Sequence, residues 1–349
     1  MTIHQECEAQ LSRFLHFGVP LRDLTVLRES SDWTEWGEGL ARRAAEYEQA
    51  GNLEAERRHI QSAIWFWRTA ASCFHYAQIK WPHCQEKTRL QAHSRKVFGR
   101  LRPVVDPPAE PVAIAFDGIT MPGYVRLRPG APTVLLINGL DSAKEVELFA
   151  FASGFVDRGL SVACIDLPGL GELNGVGSLY CFDEGLECVL DWLRSRCGGD
   201  TPTGVFGVSF GGHLACRAAA KSERIDAGIC LGGFFNFEPM RRLPAPAAAN
   251  LRRAYNLASE APLDDLCSTI DLEPLRGRVR TALLLIHGTK DHLVDLDQVE
   301  QIRGWAPQSR LLVFEGAEHV CTDRFAECLP ALWDFMADAL SDRRQRAQS

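Results

Sequence analysis

The sequence predicts an α/β fold, a mostly parallel eight-stranded sheet with helices on both faces, preceded by a helical domain. Three observations lead there. From about residue 110, short apolar runs of strand length alternate with segments of helical periodicity, the pattern of a parallel sheet with crossover helices. Before residue 105 only helical periodicity is found: Ile60, Ala63, Ile64, Trp67, Ala70, Ala71, Phe74 and Ala77 recur at helical spacing. Between an apolar run and a small-residue helix pattern stands Gly207-Val208-Ser209-Phe210-Gly211, which reads as a strand-turn-helix corner that projects a serine above the sheet.

Taken in order, residues 1–105 form the helical N-terminal domain, in which Ala41 to Glu48 is also helical in character. Its aromatic stripe, Trp65, Phe66, Trp67, Phe74, Tyr76 and Trp81, is expected to be core. Because that is more aromatic surface than one helix buries, the domain is expected to act as a cap that shares in the substrate pocket. The proline-rich stretch Arg102 to Pro111 is extended and joins it to the second domain, residues 106–349. There 111–116 and 121–127 read as an antiparallel pair turned through Asp117-Gly118. Strands at 132–138, 161–166, 203–208, 226–232, 281–287 and 310–315 complete the eight. Helices are expected at 145–157, 182–196, 210–221, 296–304 and 322–340. Residues 234–280, with Leu243-Pro244-Ala245-Pro246, interrupt the alternation and read as an insertion forming part of a lid over Ser209.

A serine hydroxyl is a poor nucleophile at neutral pH and needs an imidazole to take its proton, which in turn needs a carboxylate to fix its tautomer. On such a sheet the partners follow the serine in the order acid, histidine, each at the end of a strand. Strand 281–287 runs into Gly288-Thr289-Lys290-Asp291, and strand 310–315 into Gly316-Ala317-Glu318-His319, so Asp291 is the candidate acid and His319 the candidate base. Asp295 competes for the acid role. His287 and His213 read as structural histidines and His292 as a loop residue at the rim. An oxyanion needs backbone N–H donors: Phe210, directly after the serine, and Leu140, in the loop Asn138-Gly139-Leu140-Asp141-Ser142-Ala143-Lys144-Glu145 after strand 132–138. The same loop also reads as an ordinary strand-to-helix turn with Asp141 or Ser142 as N-cap.

A chain of 349 residues can bury a large core and two domains. Its formal charge of −7 argues against nucleic acid or an anionic membrane as partner, and Arg343-Arg344-Gln345-Arg346 is a short, solvated basic end. No apolar stretch approaches the roughly 20 residues of a membrane span, and Met1 to Glu6 is too polar for a signal peptide, so a cytoplasmic location is expected. The 12 cysteines lack CxxC spacing, and several, such as Cys164, Cys216 and Cys230, fall in core elements, as reduced thiols do. No metal site and no cofactor are expected; Gly169-Leu170-Gly171 lacks the dinucleotide fingerprint. The expected partner is a small-molecule substrate, with homodimerisation left open.

The segments Asn138 to Glu145, Asp166-Leu167-Pro168-Gly169-Leu170-Gly171-Glu172 and Gly207 to Gly212, together with Trp67 to Ala77, resemble the α/β-hydrolases related to 2,6-dihydroxypseudooxynicotine hydrolase, the fungal yellowish-green heptaketide hydrolases and the FrsA-like esterases. The likeness runs from about residue 35 to the C-terminus, and the pair of loop motifs is far more specific than GxSxG alone. It implies the α/β-hydrolase fold. For the reaction, it implies a serine hydrolase cleaving a carbon–carbon bond next to a ketone in an aromatic or polyketide-like molecule. It also points to Asp141, one methylene shorter than the glutamate of a nicotine-pathway member, as a candidate for substrate or catalytic support. The alternatives are carboxylester or thioester hydrolysis, including acyl transfer or cyclisation in a biosynthetic pathway, and a non-catalytic binding protein on the same fold.

Overall fold

Every element before residue 105, among the residues that the computed structural model describes (3–27, 29–198 and 201–348), is a helix. By backbone packing the chain divides into two compact units, Met1–Glu110 with Glu145–Ala150, and Pro111–Lys144 with Phe151–Ser349.

The first unit contains α1 (Ile3–His16), α2 (Leu21–Leu27), α3 (Trp33–Glu56), α4 (Ile60–Ala77) and α5 (Gln85–Leu101). Asp32 starts α3 by accepting from the Thr34 and Glu35 amides at 2.8 and 2.9 Å, while the Glu35 carboxylate reaches back to the Ser31 amide at 2.7 Å, so each satisfies donors a free helix end would waste. In α4 every residue from Thr69 to Ala77 is buried, and Phe14, Trp36 and Tyr76 meet in the core with ring centroids 5.5 and 5.0 Å apart. One sequence expectation fails here: Trp65 is 72% exposed although Trp67 is buried. Two residues of helix turn through about 200°, so the two indoles face opposite ways and only one can be core. The core of this unit also takes in a carboxylate. Glu147, from the segment Glu145–Ala150, accepts from Arg13 Nη2 at 2.9 Å and the Tyr76 hydroxyl at 2.8 Å, with His75 Nε2 at 3.2 Å.

The second unit is built on β1 (Glu110–Phe116), β2 (Ile119–Arg126), β3 (Thr133–Ile137), β4 (Ser161–Ile165), β5 (Thr203–Val208), β6 (Ala227–Leu231), β7 (Ala282–Gly288) and β8 (Arg310–Phe314), in the order β1-β2-β4-β3-β5-β6-β7-β8. β2 pairs antiparallel with β4, and from β4 onward all neighbours are parallel. Asp117 and Gly118 both have positive φ, 43° and 75°, as a two-residue hairpin between β1 and β2 demands. β3, β4, β5 and β6 are buried almost throughout, which is why they read as continuous apolar runs instead of alternating ones. The connecting helices are α6 (Phe149–Asp157), α7 (Phe182–Cys197), α8 (Phe210–Lys221), α10 (Leu296–Trp305) and α11 (Phe325–Gln348), each close to its expected place. The eight strands and their mostly parallel order are as the sequence alternation predicts.

Between β6 and β7 the insertion carries α9 (Ala245–Ala254) and short 3₁₀ turns. Its start is held by the buried Gln298, whose Oε1 accepts the Phe235 and Asn236 amides at 3.1 and 3.2 Å. Its helix is fastened to the loop after β4: Asn174 donates to the carbonyls of Gly169 and Asn250, and Arg253 donates to the Asn174 side chain at 3.2 Å and to its carbonyl at 3.0 Å.

Candidate active site

β5 ends one residue before Ser209, and α8 begins one residue after it. Ser209 itself has φ 56° and ψ −119°, a left-handed conformation that side chains seldom adopt, so the turn is strained and sets the hydroxyl above the strand end. Its own amide is tied down, donating to Leu231 O on β6 at 2.8 Å. The flanking glycines are steric necessities. A methyl on Gly207 would lie 1.8 Å from the Gly211 carbonyl oxygen, and one on Gly211 would lie 2.4 Å from that of Ile137. Both obstacles are backbone and cannot swing aside. Gly211→Ala is therefore expected to destabilise the fold by about 3 kcal/mol, read as a lower urea midpoint at unchanged slope.

The last two strands, β7 and β8, deliver the partners. Their loops are laced together, with Thr289 N donating to Phe314 O at 3.1 Å, Lys290 N to Ala317 O at 2.9 Å, and Gly316 N to Thr289 Oγ1 at 2.8 Å. This lacing sets the loop after β7 in register with the loop after β8. Asp291 lies on the first and His319 on the second. His319 Nδ1 stands 2.7 Å from Asp291 Oδ2, and His319 Nε2 stands 2.9 Å from Ser209 Oγ. The other Asp291 oxygen accepts the Leu293 and Val294 amides, both at 2.9 Å, so the carboxylate cannot rotate away. Burial would raise the Asp291 pKa, but the adjacent His319, the hydrogen bond from it and the Val294 amide prevail and hold it below the ordinary carboxylate range. Directly after His319, Val320 and Cys321 have φ of 54° and 55°. A β-branched residue there is strained, and backbone strain of this kind gathers where side-chain placement matters.

Asp295 takes a different place. It is exposed, immediately precedes α10 and pairs with Arg242. The remaining histidines divide as the sequence suggests. His213 is buried, its Nδ1 on the Phe234 carbonyl at 3.0 Å and its ring stacked on Phe234 with centroids 4.8 Å apart; burial pushes its pKa down to about 4. His287 is fully buried, with Nε2 on the Val294 carbonyl at 3.0 Å, and burial lowers its pKa as well. His292 is exposed on the Asp291 loop.

Phe210 is the first residue of α8, where a helix leaves its N–H groups without intrahelical acceptors. The loop after β3 lies against the same corner: a methyl on Gly139 would sit 3.2 Å from Val208 O and 3.5 Å from Ser209 Cβ, which places Leu140 one residue from the serine's surroundings. Asp141 follows on the exposed face of that loop.

Sequence reasoning missed the group that holds this loop from below. Asp166, at the end of β4 and 1% exposed, accepts from Asn138 Nδ2 at 2.8 Å, from Lys144 Nζ at 2.6 Å and from the Glu172 amide at 3.1 Å. Lys144, also buried, reaches Glu172 Oε1 at 2.5 Å, and the Tyr124 hydroxyl donates to its carbonyl at 2.8 Å. Part of the signal was present: Lys144 stands in the first quoted loop motif and Asp166 and Glu172 in the second, but the two motifs hold four carboxylates, and the sequence does not say which of them the lysine meets. Among the described residues no cluster of histidine, cysteine, aspartate or glutamate could hold a metal ion, and no helix is long and apolar enough to cross a membrane.

With that geometry in place, the chain can be set beside known proteins. A family model for the alpha/beta hydrolase fold matches residues 132–259. The chain is similar to 2,6-dihydropseudooxynicotine hydrolase of Paenarthrobacter nicotinovorans, at 28% identity over 319 residues, 88% of this chain and 86% of the relative. It is similar to the 20-hydroxy-prefusarin hydrolase FUS2 of Gibberella moniliformis, at 30% identity over 52% of this chain and 48% of the relative. The crystal structure of the 2,6-dihydroxy-pseudo-oxynicotine hydrolase superimposes with a TM-score of 0.84 at 26% identity, covering 95% of each chain. Sheet order, the family model and a relative matched along most of its length agree: the chain has the α/β-hydrolase fold and is a hydrolase.

Proposed function

We propose that the chain is a serine hydrolase that cleaves a carbon–carbon bond next to a ketone in an aromatic or polyketide-like small molecule. The observation that carries the serine chemistry is the hydrogen-bonded line Ser209 Oγ, His319, Asp291 at a strained strand-to-helix corner. In this reading His319 takes the Ser209 proton as Oγ attacks the ketone carbon, and the Phe210 and Leu140 amides receive the oxyanion. Collapse of the tetrahedral intermediate breaks the bond to the neighbouring carbon, which leaves as an enol or carbanion and takes the proton that His319 received from Ser209, so that the imidazole is neutral again. Water then attacks the acyl-serine with His319 as base, releasing the acid and restoring Ser209. The ketone part of the reading is supported by the similarity to 2,6-dihydropseudooxynicotine hydrolase over most of both chains and by the loop motifs.

Ester or thioester hydrolysis is the second reading, and it is favoured by the placement of the other imidazoles. His213 and His287 are both buried with a ring nitrogen on a backbone carbonyl, and burial lowers the pKa of each, so neither is suited to act as a second acid for a carbon leaving group. An alkoxide needs only the proton that His319 carries. Asp141 is the group that separates the two. Turnover of a β-diketone and acyl-phenol panel is to be compared with that of p-nitrophenyl esters. The enzyme is expected to cleave at least one ketone, and Asp141→Asn is expected to suppress that cleavage about tenfold more than ester hydrolysis. Equal losses on both, or no ketone cleavage across the panel, assign the chain to ester chemistry.

A further inference from the structure

We propose that Asp166 is a positioning residue for the oxyanion loop, a role that rests on the reading of Leu140 as an oxyanion donor. The loop runs from Asn138 to Lys144, and its first and last side chains both end on this one carboxylate, Asn138 Nδ2 at 2.8 Å on Oδ1 and Lys144 Nζ at 2.6 Å on Oδ2. The intervening residues include Gly139, packed against Val208 and Ser209, and Leu140, whose amide must point at the developing charge. A loop of seven residues fixed at both ends by charge-assisted or buried hydrogen bonds has little freedom to withdraw its amide. Tyr124 on β2 adds a third fastening through the Lys144 carbonyl, and Glu172 a fourth through Nζ.

Burial decides what such a group is for. Asp166 and Lys144 are 1% and 4% exposed. At these positions apolar residues of similar volume would stabilise the fold as well as or better than an ion pair, because taking both charges out of water offsets their attraction. An ion pair supplies direction instead: its hydrogen bonds fix where each end of the loop lies. That matters when a misplacement of about 1 Å in a donor can lower the rate about a hundredfold. None of the four fastenings touches Ser209, His319 or Asp291 directly, so the network acts on the oxyanion side of the reaction alone.

The test is Asp166→Asn, which keeps the shape but removes the charge that Lys144 and Asn138 share, assayed on the best ester or ketone substrate. The expected result is a kcat about a hundredfold lower with KM little changed and the acid limb of the kcat/KM profile unmoved, since the His319 line is intact. Tyr124→Phe removes the third fastening, at the Lys144 end of the loop, and is expected to lower kcat about fivefold; it decides the matter should Asp166→Asn fail to fold. Folded variants with wild-type kcat, or a loss confined to KM, overturn the proposal. Failure of the serine reading looks different: a wild-type enzyme that an active-site phosphonate does not label at Ser209.

Discussion

Ser209→Ala is expected to lower turnover by about six orders of magnitude and to abolish labelling by an active-site phosphonate while leaving the fold intact. The fold part follows from how little the hydroxyl supports. The strained backbone of Ser209 is imposed by β5, by α8 and by the hydrogen bond that its amide donates to the Leu231 carbonyl, none of which uses Oγ. Alanine can take the same strained conformation at a cost close to that of serine, since both carry a Cβ. What it loses is the one atom that His319 Nε2 faces at 2.9 Å. Without Oγ, His319 has no proton to accept, and on the reading proposed above only oxyanion binding by the Phe210 and Leu140 amides is left. Intact-mass measurement of the phosphonate adduct, followed by peptide mapping, checks the assignment in the wild type. Equal labelling of the alanine variant would end the serine reading.

How far the sequence carried this conclusion can be judged residue by residue. Strands β3 to β7 were legible because parallel strands buried on both faces leave continuous apolar runs, and the polar residues that end them, Ser209 and Asp291 among them, stand out against that background. His213 and His287 were separable from His319 by position, since one lies on α8 and the other within β7. Trp65 was misread because its neighbour Trp67 is core and composition does not record direction around a helix. The Asp166 group could not be assembled from its residue types for a different reason. Its members come from β2, from the loop after β3 and from the end of β4, and only the pairing of β4 with both β2 and β3 brings Tyr124, Lys144 and Asp166 together. The strained backbone at Val320 and Cys321 left no mark at all, because neither residue type signals a positive φ.

Asp291→Asn is expected to lower turnover by about four orders of magnitude, whereas Asp295→Asn should leave it unchanged. Both aspartates follow β7 within eight residues, and in the sequence the choice of Asp291 rests on its lying nearer the strand end. Their surroundings differ in kind. Asp291 is buried, faces His319 Nδ1 at 2.7 Å, and is held in place by two amides. In Asp291→Asn the side-chain oxygen keeps the Leu293 and Val294 amides, because only an acceptor suits them. The amide nitrogen must then face Nδ1, where it donates and forces the ring proton onto Nε2. That tautomer presents a hydrogen to Ser209 in place of the lone pair that has to receive one. The fold is little affected, since every hydrogen bond is kept and only the one to His319 reverses its direction. Asp295 instead pairs with Arg242 at the surface, where solvent screens the attraction and its loss costs little. Steady-state kcat on a common ester, with circular dichroism to confirm folding, distinguishes the two. A large loss in Asp295→Asn alongside an active Asp291→Asn would overturn the assignment, and with it the line of hydrogen bonds from which the serine chemistry is argued.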